Sequence, residues 1–470
     1  MGLLCEILAD QCLTNVAPEP FLRGGLAVAM RIEYCLTRRR ESRLEVLAHW
    51  QTLALPTMDL PPSPVETFLA RFTRCIAHRH RCRAQVLRWI NPEDFSGGET
   101  LPILLCHVRD GGAIANGVWI TENDISQASD AGQCSTGRAS LLQCALQSLP
   151  TQPWTIPEWI DQATTWIVAQ LPRCATANNV SITQVRVSPS SSVLRVRAAS
   201  KYYYFKAVRR AYGYEPGLIT WLAKVAPSSV APVVAADRAR SWYLSERVPG
   251  QNFSGIVAVD AWKCAMKQLA CLQKGASEFH TELAQLGVPD FRTSVLEQRA
   301  TELLRQAIEV LCESHRCAIR KRIGAILLRV STLAKRLASY GITDSIVHSD
   351  LNESNILGSD SHAVFIDWTY ATSGHPFLAL LYTLYPTKSP SHKLHRYYTA
   401  LLDSYLRAWE PDYPRQALRE CCEVAGELAY YYGRLINVWI SLERRSEMPG
   451  EVGELQRLIE HMSRRAQEAS

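Results

Sequence analysis

Little in this chain is one-sided. Its 51 Lys and Arg stand against 45 Asp and Glu, a net charge of +6 over 470 residues. That surplus suits an anionic nucleotide but is no signature of nucleic-acid binding. No apolar run is long enough to span a bilayer, so no membrane partner is expected. Glu6 and Asp10 interrupt the N-terminal apolar stretch, which argues against a signal peptide. Met1-Gly2 opens a myristoylation pattern, yet position 6 is Glu rather than Ser or Thr. The 15 cysteines are odd in number and contain no CxxC pair. In a chain of this length they read as reduced thiols, which predicts a cytoplasmic protein rather than a disulfide scaffold. What is present is ordinary globular composition, 47% hydrophobic and 20% charged. It supports a sizeable core in about two to four domains or lobes.

The densest chemistry lies in residues 345–376, SIVHSDLNESNILGSDSHAVFIDWTYATSGHP. His348-x-Asp350 is followed by Asn355, a short turn, an apolar strand, and Asp367 at the strand's end. Phosphoryl transfer needs this spacing: one carboxylate receives the acceptor hydroxyl proton, while an amide and a second carboxylate hold metal ions that bridge the nucleotide phosphates. Ile356–Leu357 can pair with Val364–Asp367 across a loop containing Gly358, Ser359, Asp360 and Ser361. Such a hairpin brings Asn355 and Asp367 together. A lone HxD is common; HxDxxxxN, a hairpin, and then an apolar strand ending in Asp-Trp is specific.

This stretch resembles the aminoglycoside phosphotransferase-like kinases, whose usual form is HGDLHxxNIL…IDW…GDP; here it reads HSDLNESNIL…FIDW…GHP. The resemblance covers roughly the last two-thirds of the chain. It implies an α+β, protein-kinase-like two-lobed fold, with an antiparallel sheet in the first lobe and a helical second lobe, preceded here by an extra N-terminal domain. It also implies ATP and Mg2+ as cofactors, Asp350 as the catalytic base, and Asn355 and Asp367 as metal ligands. His348 reads as a scaffold residue and Asn352 and Ser354 as loop stabilisers. His375 and Ala379 stand where the family carries two aspartates that act as structural anchors.

Upstream, Pro153–Leu171 reads as a bracing helix. The period then changes to two: Ile182–Val187, Val193–Ala198, Tyr202–Val208, Val233–Ala236 and Trp242–Ser245 read as strands. The first two are joined by Ser188-Pro189-Ser190-Ser191-Ser192, without the glycine of a phosphate loop. Lys206 in the third strand needs a reason to be buried. The resemblance supplies one, a contact with nucleotide phosphates and with a helix glutamate, for which Glu215 is the candidate. Ser245–Gly250 resembles the family's hinge, where backbone groups near Glu246 to Val248 would bond adenine. Beyond it, Trp262, Met266, Leu269 and Leu272 mark a core helix, Ile319–Leu337 a basic amphipathic one, and Lys393–Glu410 and Pro414–Glu443 two more. The last carries Glu420, Glu423 and Glu427 on one face, then Tyr430-Tyr431-Tyr432. An acidic, aromatic wall suits a cationic or sugar-like acceptor held near Glu423 and Glu427; a solvated helix face is the other reading.

The first 150 residues carry no recognisable chemistry. Leu26–Leu36 and Val65–Ile90 read as helices, and Leu101–Val108 and Ala113–Ile120 as a strand pair around Asp110-Gly111-Gly112. In CIAHRHRC a helix puts Cys75, His78 and Cys82 on one face and His80 away from it, reading as buried thiols and surface histidines rather than a zinc site. The expected division is therefore 1–150, a mostly helical accessory domain; 151–250, the bracing helix and nucleotide lobe; and 251–470, the helical lobe with the catalytic loop and acceptor site. The leading expectation is ATP-dependent phosphate transfer to a hydroxyl of a polar small molecule. A nucleotide- or partner-binding protein without turnover is the alternative. A protein-directed kinase is disfavoured, because no APE-type segment or activation loop follows Asp367.

Overall fold

The computed structural model describes, within the first 151 residues, 30–40, 43–48, 57–60, 68–80, 82, 84–90, 103–108, 118–120 and 125–127. It also describes 152–468 apart from 157, 173–179, 257, 312, 360, 389–391 and 446–450. The chain divides into two compact units between Arg209 and Arg210.

In the first unit, β1 (Met30–Arg40), β2 (Arg43–Ala48), β3 (Thr57–Leu60), α1 (Phe68–His80), β4 (Ala84–Ile90), β5 (Ile103–Val108) and β6 (Val118–Ile120) precede residue 150. The strands form one mixed sheet in the order β4-β5-β1-β2-β6, with β3 also on β1. This corrects the mostly helical expectation: within 26–36 and 65–90, residues 30–36 and 84–90 are strands and 68–80 is helical. Met30, Ile32, Tyr34 and Leu36 alternate with polar residues, a period of two that outweighs the looser helical match. The expected 101–120 strand pair is also corrected. Both strands form, but β5 pairs with β4 and runs parallel to β1, while β6 pairs with β2. The Asp110-Gly111-Gly112 turn lies outside the described residues.

α2 (Trp159–Gln170), β7 (Val180–Val187), β8 (Ser191–Ala198) and β9 (Lys201–Val208) complete this unit. β7, β8 and β9 make an antiparallel meander. α2 braces it as expected: Trp159 and Trp166 set their rings 6.0 and 5.7 Å from Phe205 of β9. The accessory sheet is joined to β7 by side-chain amides. Gln184 accepts from Val86 N–H at 3.0 Å and donates to Val86 O at 2.9 Å, pairing with β4 where both strands bulge.

The second unit opens with α3 (Glu215–Val225), the antiparallel pair β10 (Val233–Asp237) and β11 (Trp242–Glu246), and short β12 (Gln251–Asn252). All five strands expected between 180 and 246 therefore form. The helices α4 (Val259–Ala276), α5 (His280–Leu286), α6 (Leu296–Val310) and α7 (Glu313–Ala338) follow. β13 (Ser345–Val347), β14 (Ile356–Ser359), β15 (His362–Phe365) and β16 (Thr372–Gly374) surround the motif. α8 (Tyr398–Leu406), α9 (Arg415–Arg444) and α10 (Glu451–Glu468) end the chain. Trp262, Met266, Leu269 and Leu272 are buried, as their spacing predicts. No helix among the described residues is long and apolar enough to cross a membrane.

Two glycines fix the floor of the motif. Gly250 (φ +103°) crosses the backbone of Gly358 (φ +153°), and a Cβ on Gly250 would meet that backbone. β12 can thus lie on β14, with Gln251 opposite Gly358.

Candidate active site

The catalytic-loop stretch starts where β13 ends. β13 is held by Gln273 of α4, fully buried, whose amide donates to Ile346 O (3.2 Å) and Pro376 O (2.9 Å) and accepts from Tyr405 Oη (2.6 Å). Ser345 Oγ donates back to Gln273 O at 2.5 Å. A buried amide with its capacity used in this way fixes a strand, because orphaning either partner costs about 1–3 kcal/mol. His348 follows. Its Nε2 donates to Ile366 O at 2.8 Å, and its ring lies 4.5 Å from that of Trp368. It therefore ties the loop to the residue that precedes Asp367, the scaffold place expected of it. Ser349 is held from the other side: Tyr432 Oη lies 2.5 Å from Ser349 Oγ and 2.6 Å from Thr372 Oγ1.

Asp350 is oriented through both carboxylate oxygens. Asn352 Nδ2 donates to Oδ1 at 3.2 Å and Asn355 Nδ2 to Oδ2 at 3.3 Å, with Asn355 also on Asp350 O at 2.8 Å. Asn352 Oδ1 caps the following 3-10 turn by accepting Ser354 N–H (2.9 Å) and Ser354 Oγ (2.5 Å). Asn352 is thus both the expected loop stabiliser and a direct clamp on Asp350, a role that sequence reading missed. With its NH2 spent on Asp350, Asn355 has its amide oxygen left as acceptor.

The expected hairpin forms with Ile356 opposite Phe365 and Leu357 opposite Val364. Asn355 O accepts from Ile366 N–H at 3.0 Å, which brings Asn355 beside the residue that precedes Asp367. Asp367 has φ +64°, the left-handed region, which costs a non-glycine residue about 1–2 kcal/mol. Its surroundings compensate. Thr369 Oγ1 lies 2.7 Å from Asp367 Oδ1 and 2.9 Å from Glu215 Oε2. Tyr243 Oη donates to Glu215 Oε1 at 3.1 Å, and Tyr214 Oη to Thr369 O at 2.6 Å and Ala371 O at 3.1 Å. Burial, then the Glu215 charge, pushes both tyrosine hydroxyls well above their usual range, so they stay donors. Glu215 is the first residue of α3 and Pro216 the second, where no N–H is needed.

A hydroxyl carries one proton, so buried Glu215 and half-buried Asp367 share a single donor at Thr369. Asp367 and the Asn355 amide oxygen offer hard oxygen ligands of the type Mg2+ takes. The residues present therefore fit a divalent cation with a phosphate chain.

Lys206 sits in β9 opposite Val193 and is 5% exposed, so the expected buried lysine is in place. The serine loop is a closed turn. Ser188 Oγ accepts from Ser190 N–H (3.3 Å) and Ser191 N–H (3.1 Å), Ser188 N–H donates to Ser191 O (2.8 Å), and Trp154 Nε1 donates to Ser188 O (3.2 Å). At the hinge, Glu246 is exposed, and its N–H is taken by Pro232 O at 2.9 Å. Val248 is buried with Ala231 and Val364, and Leu357 and Ile366 pack against them. This apolar cluster lies beside the hinge. Sequence reading did not assemble it, because its members come from four separate segments.

The acidic wall does not form. Glu423 and Glu427 are exposed and paired with Lys388 (3.0 Å) and Arg329 (2.7 Å). Nine residues separate Glu423 from Tyr432, a turn of about 180° on a helix of 3.6 residues per turn. The face that reaches Ser349 is therefore opposite the acidic one. His375 is fully buried and takes an anchoring place. Its Nδ1 accepts Phe377 N–H at 3.3 Å, capping the turn that follows, and burial lowers its pKa to about 3. The CIAHRHRC cluster also differs from expectation: His80 is buried while His78 is exposed and Cys75 half-buried. Among the described residues no three His, Cys, Asp or Glu gather as a metal site.

The model of the phosphotransferase enzyme family matches residues 183–419, half of the chain. No curated protein matches the chain in sequence. Among solved structures it is similar to an ethanolamine kinase from Plasmodium vivax, at 14% identity over 61% of this chain and 82% of that one, with a TM-score of 0.46. It is also similar to a choline kinase from Cryptosporidium parvum Iowa II, at 13% identity over 66% and 96%, with a TM-score of 0.48. A choline kinase from Streptococcus pneumoniae gives 13% identity over 65% and 98%, with a TM-score of 0.43. At TM-scores below 0.5 these likenesses bear on neither substrate nor reaction.

Proposed function

This chain belongs to the phosphotransferase enzyme family and has a protein-kinase-like α+β fold; from that premise we propose that it is an ATP-dependent O-phosphotransferase acting on a hydroxyl of a polar small molecule. The observation that carries this reading is the Asp350 carboxylate, fixed at both oxygens by Asn352 and Asn355, on a loop that His348 ties to Ile366, next to Asp367. Asp350 orients the acceptor hydroxyl and takes its proton. Asn355 and Asp367 hold Mg2+. Lys206 and Glu215 serve the phosphates, and the Glu246 carbonyl and Val248 N–H serve the base. Bound Mg2+ and ATP supply the phosphoryl group and the neutralising charge that transfer requires. Seven cysteines among the described residues are thiols rather than disulfides, which supports a reducing, cytoplasmic setting.

A second reading, nucleotide binding without turnover, draws support from the Ser188–Ser191 turn, whose N–H groups are spent internally. One pair of variants separates the two. Asp350→Ala keeps Mg2+-dependent ATP binding in calorimetry and loses phosphate transfer, whereas Asp367→Ala loses the binding. Transfer undiminished in Asp350→Ala refutes the base assignment. ATP binding without transfer to any sugar, amino alcohol or hydroxy acid favours the second reading.

A further inference from the structure

A cleft of about 510 Å3 opens in the second unit, lined by Asp290, Val295, Gln298, Arg299, Glu302 and Trp439 among others. Residues of both walls are linked to the catalytic loop through buried neighbours, Tyr432 on one side and Phe291 and Ser373 on the other. Trp439 follows Tyr432 on α9 by seven residues, about two turns, and so shares its face. Tyr432 in turn reaches Ser349, next to Asp350. On the other wall, Phe291 N–H donates to Ser373 O (2.7 Å) and Ser373 N–H to Pro289 O (2.9 Å). Ser373 pairs with Ile346 of β13, the strand that runs into His348.

The charges in this cleft are unequally satisfied. Asp290 is taken by Arg292 through Nε (3.0 and 3.1 Å) and Nη2 (2.7 Å). Burial alone raises this carboxyl, but the Arg292 bonds outweigh it and hold it below its usual range. Glu302 is held low first by the Gln298 bond (2.9 Å) and then by Arg299. Arg299 itself has one long contact, Nη1 to Glu302 at 3.4 Å, and its Nε is buried with no partner. Its guanidinium lies over Phe291 at 5.4 Å, and Phe291 meets Tyr432 edge-on at 5.9 Å. The carboxylates are thus occupied by the chain's own donors, and the group with donors to spare is a stacked arginine, the side chain best suited to a carboxylate.

We propose, on the premise of the phosphotransfer reading, that this cleft is the acceptor site and selects a hydroxylated acid, with the acid's carboxylate on Arg299 and its carbon skeleton along Trp439. The acceptor's hydroxyl oxygen gains the phosphoryl group, its proton passes to Asp350, and nucleoside diphosphate leaves.

The test uses the full chain with Mg2+, ATP and matched probes: glycerate against glycerol, 3-hydroxybutyrate against 1,3-butanediol, and homoserine against 2-amino-1,4-butanediol, with choline as a cationic comparator. Binding is read by ligand-observed NMR and transfer by ADP release. At least one acid should exceed its alcohol in kcat/KM by about 10- to 100-fold, the range of one charge-assisted contact. Arg299→Gln should erase that ratio through KM with kcat little changed, and Arg299→Lys should restore part of it. Preference for choline or the alcohols overturns the proposal, as does an acid-to-alcohol ratio that Arg299→Gln leaves unchanged, or no binding of any acid. Arg299-dependent binding of an acid without transfer supports the site and retires the phosphotransfer reading instead. The wild-type ratio decides the matter even if Arg299→Gln fails to fold.

Discussion

Thr369→Val isolates the one hydroxyl that lies between two carboxylates. Thr369 is 2% exposed, and valine keeps its volume, so no cavity opens. What is lost is the donor 2.7 Å from Asp367 and 2.9 Å from Glu215. Because the hydroxyl has one proton, the loss is one charge-assisted hydrogen bond rather than two, about 1.5–3 kcal/mol. Glu215, fully buried, retains the Tyr243 hydroxyl. For a unit of this size the expected fall in Tm is about 2–4 °C per kcal/mol, so on the order of 5–10 °C in all. Thr369→Ser keeps the hydroxyl, loses only a methyl, and should fall by about 1 kcal/mol. Scanning calorimetry of the two variants at pH 7 makes the comparison. A double variant with Glu215→Gln should be less destabilised than the two single changes added together, because the groups share one partner. A valine variant as stable as the serine one would refute the bridge.

Stability should fall on acidification through His375. An unfolded histidine titrates near 6.5 and this one, by burial, at about 3, so its contribution is complete above 6.5 and is lost as pH drops toward 3. The slope is about 1.4 kcal/mol per pH unit, read from urea midpoints at pH 7, 5.5 and 4.5, and His375→Asn should flatten it. Trp154→Phe orphans the buried Ser188 carbonyl and should cost about 1–3 kcal/mol by denaturant unfolding; an unchanged midpoint would show that the bond holds nothing. Glu423→Gln and Glu427→Gln should each change stability by less than about 1 kcal/mol, as exposed ion pairs do, and should leave KM for every accepted substrate unchanged.

The legible parts of the chain are those whose geometry is local. The Asn355-to-Asp367 hairpin closes over a dozen residues, and turn chemistry with strand pattern sufficed to place it. Strands 180–246 alternate cleanly, and so did not depend on knowing their neighbours. Illegible were relations set by distant segments. Helical spacing put Glu423 and Glu427 on one face but could not say which face turns inward. The answer lay in Lys388, Arg329 and Ser349, far off in sequence. Thr369 drew no notice because a threonine after Asp-Trp has no signature until Glu215 stands beside it. In the first unit, residues 30–36 satisfy a period of two and nearly satisfy one of 3.6. The partners that hold them extended, 57–60 and the parallel strand at 103–107, are distant in sequence.

The glycine-free turn has a physical reason in the same unit. A phosphate loop needs glycine where backbone N–H groups must come close to an anion. Here the Ser190 and Ser191 N–H groups already have an acceptor, the Ser188 hydroxyl, and Trp154 closes over the Ser188 carbonyl. The same 152–156 segment is held by Gln85 of β4, which donates to Trp154 O (3.0 Å) and Ile156 O (3.3 Å). Two amides, Gln85 and Gln184, thus join the accessory sheet to the 152–156 segment and to β7. A turn fixed in this way forgoes the adaptable backbone contacts that a glycine loop provides. On the proposed reading, neutralisation of a bound phosphate chain in this unit then falls to the buried Lys206 side chain. The consequence is specific to this chain: on that reading, loss of the Lys206 charge should weaken nucleotide binding more than loss of any hydroxyl in the serine turn.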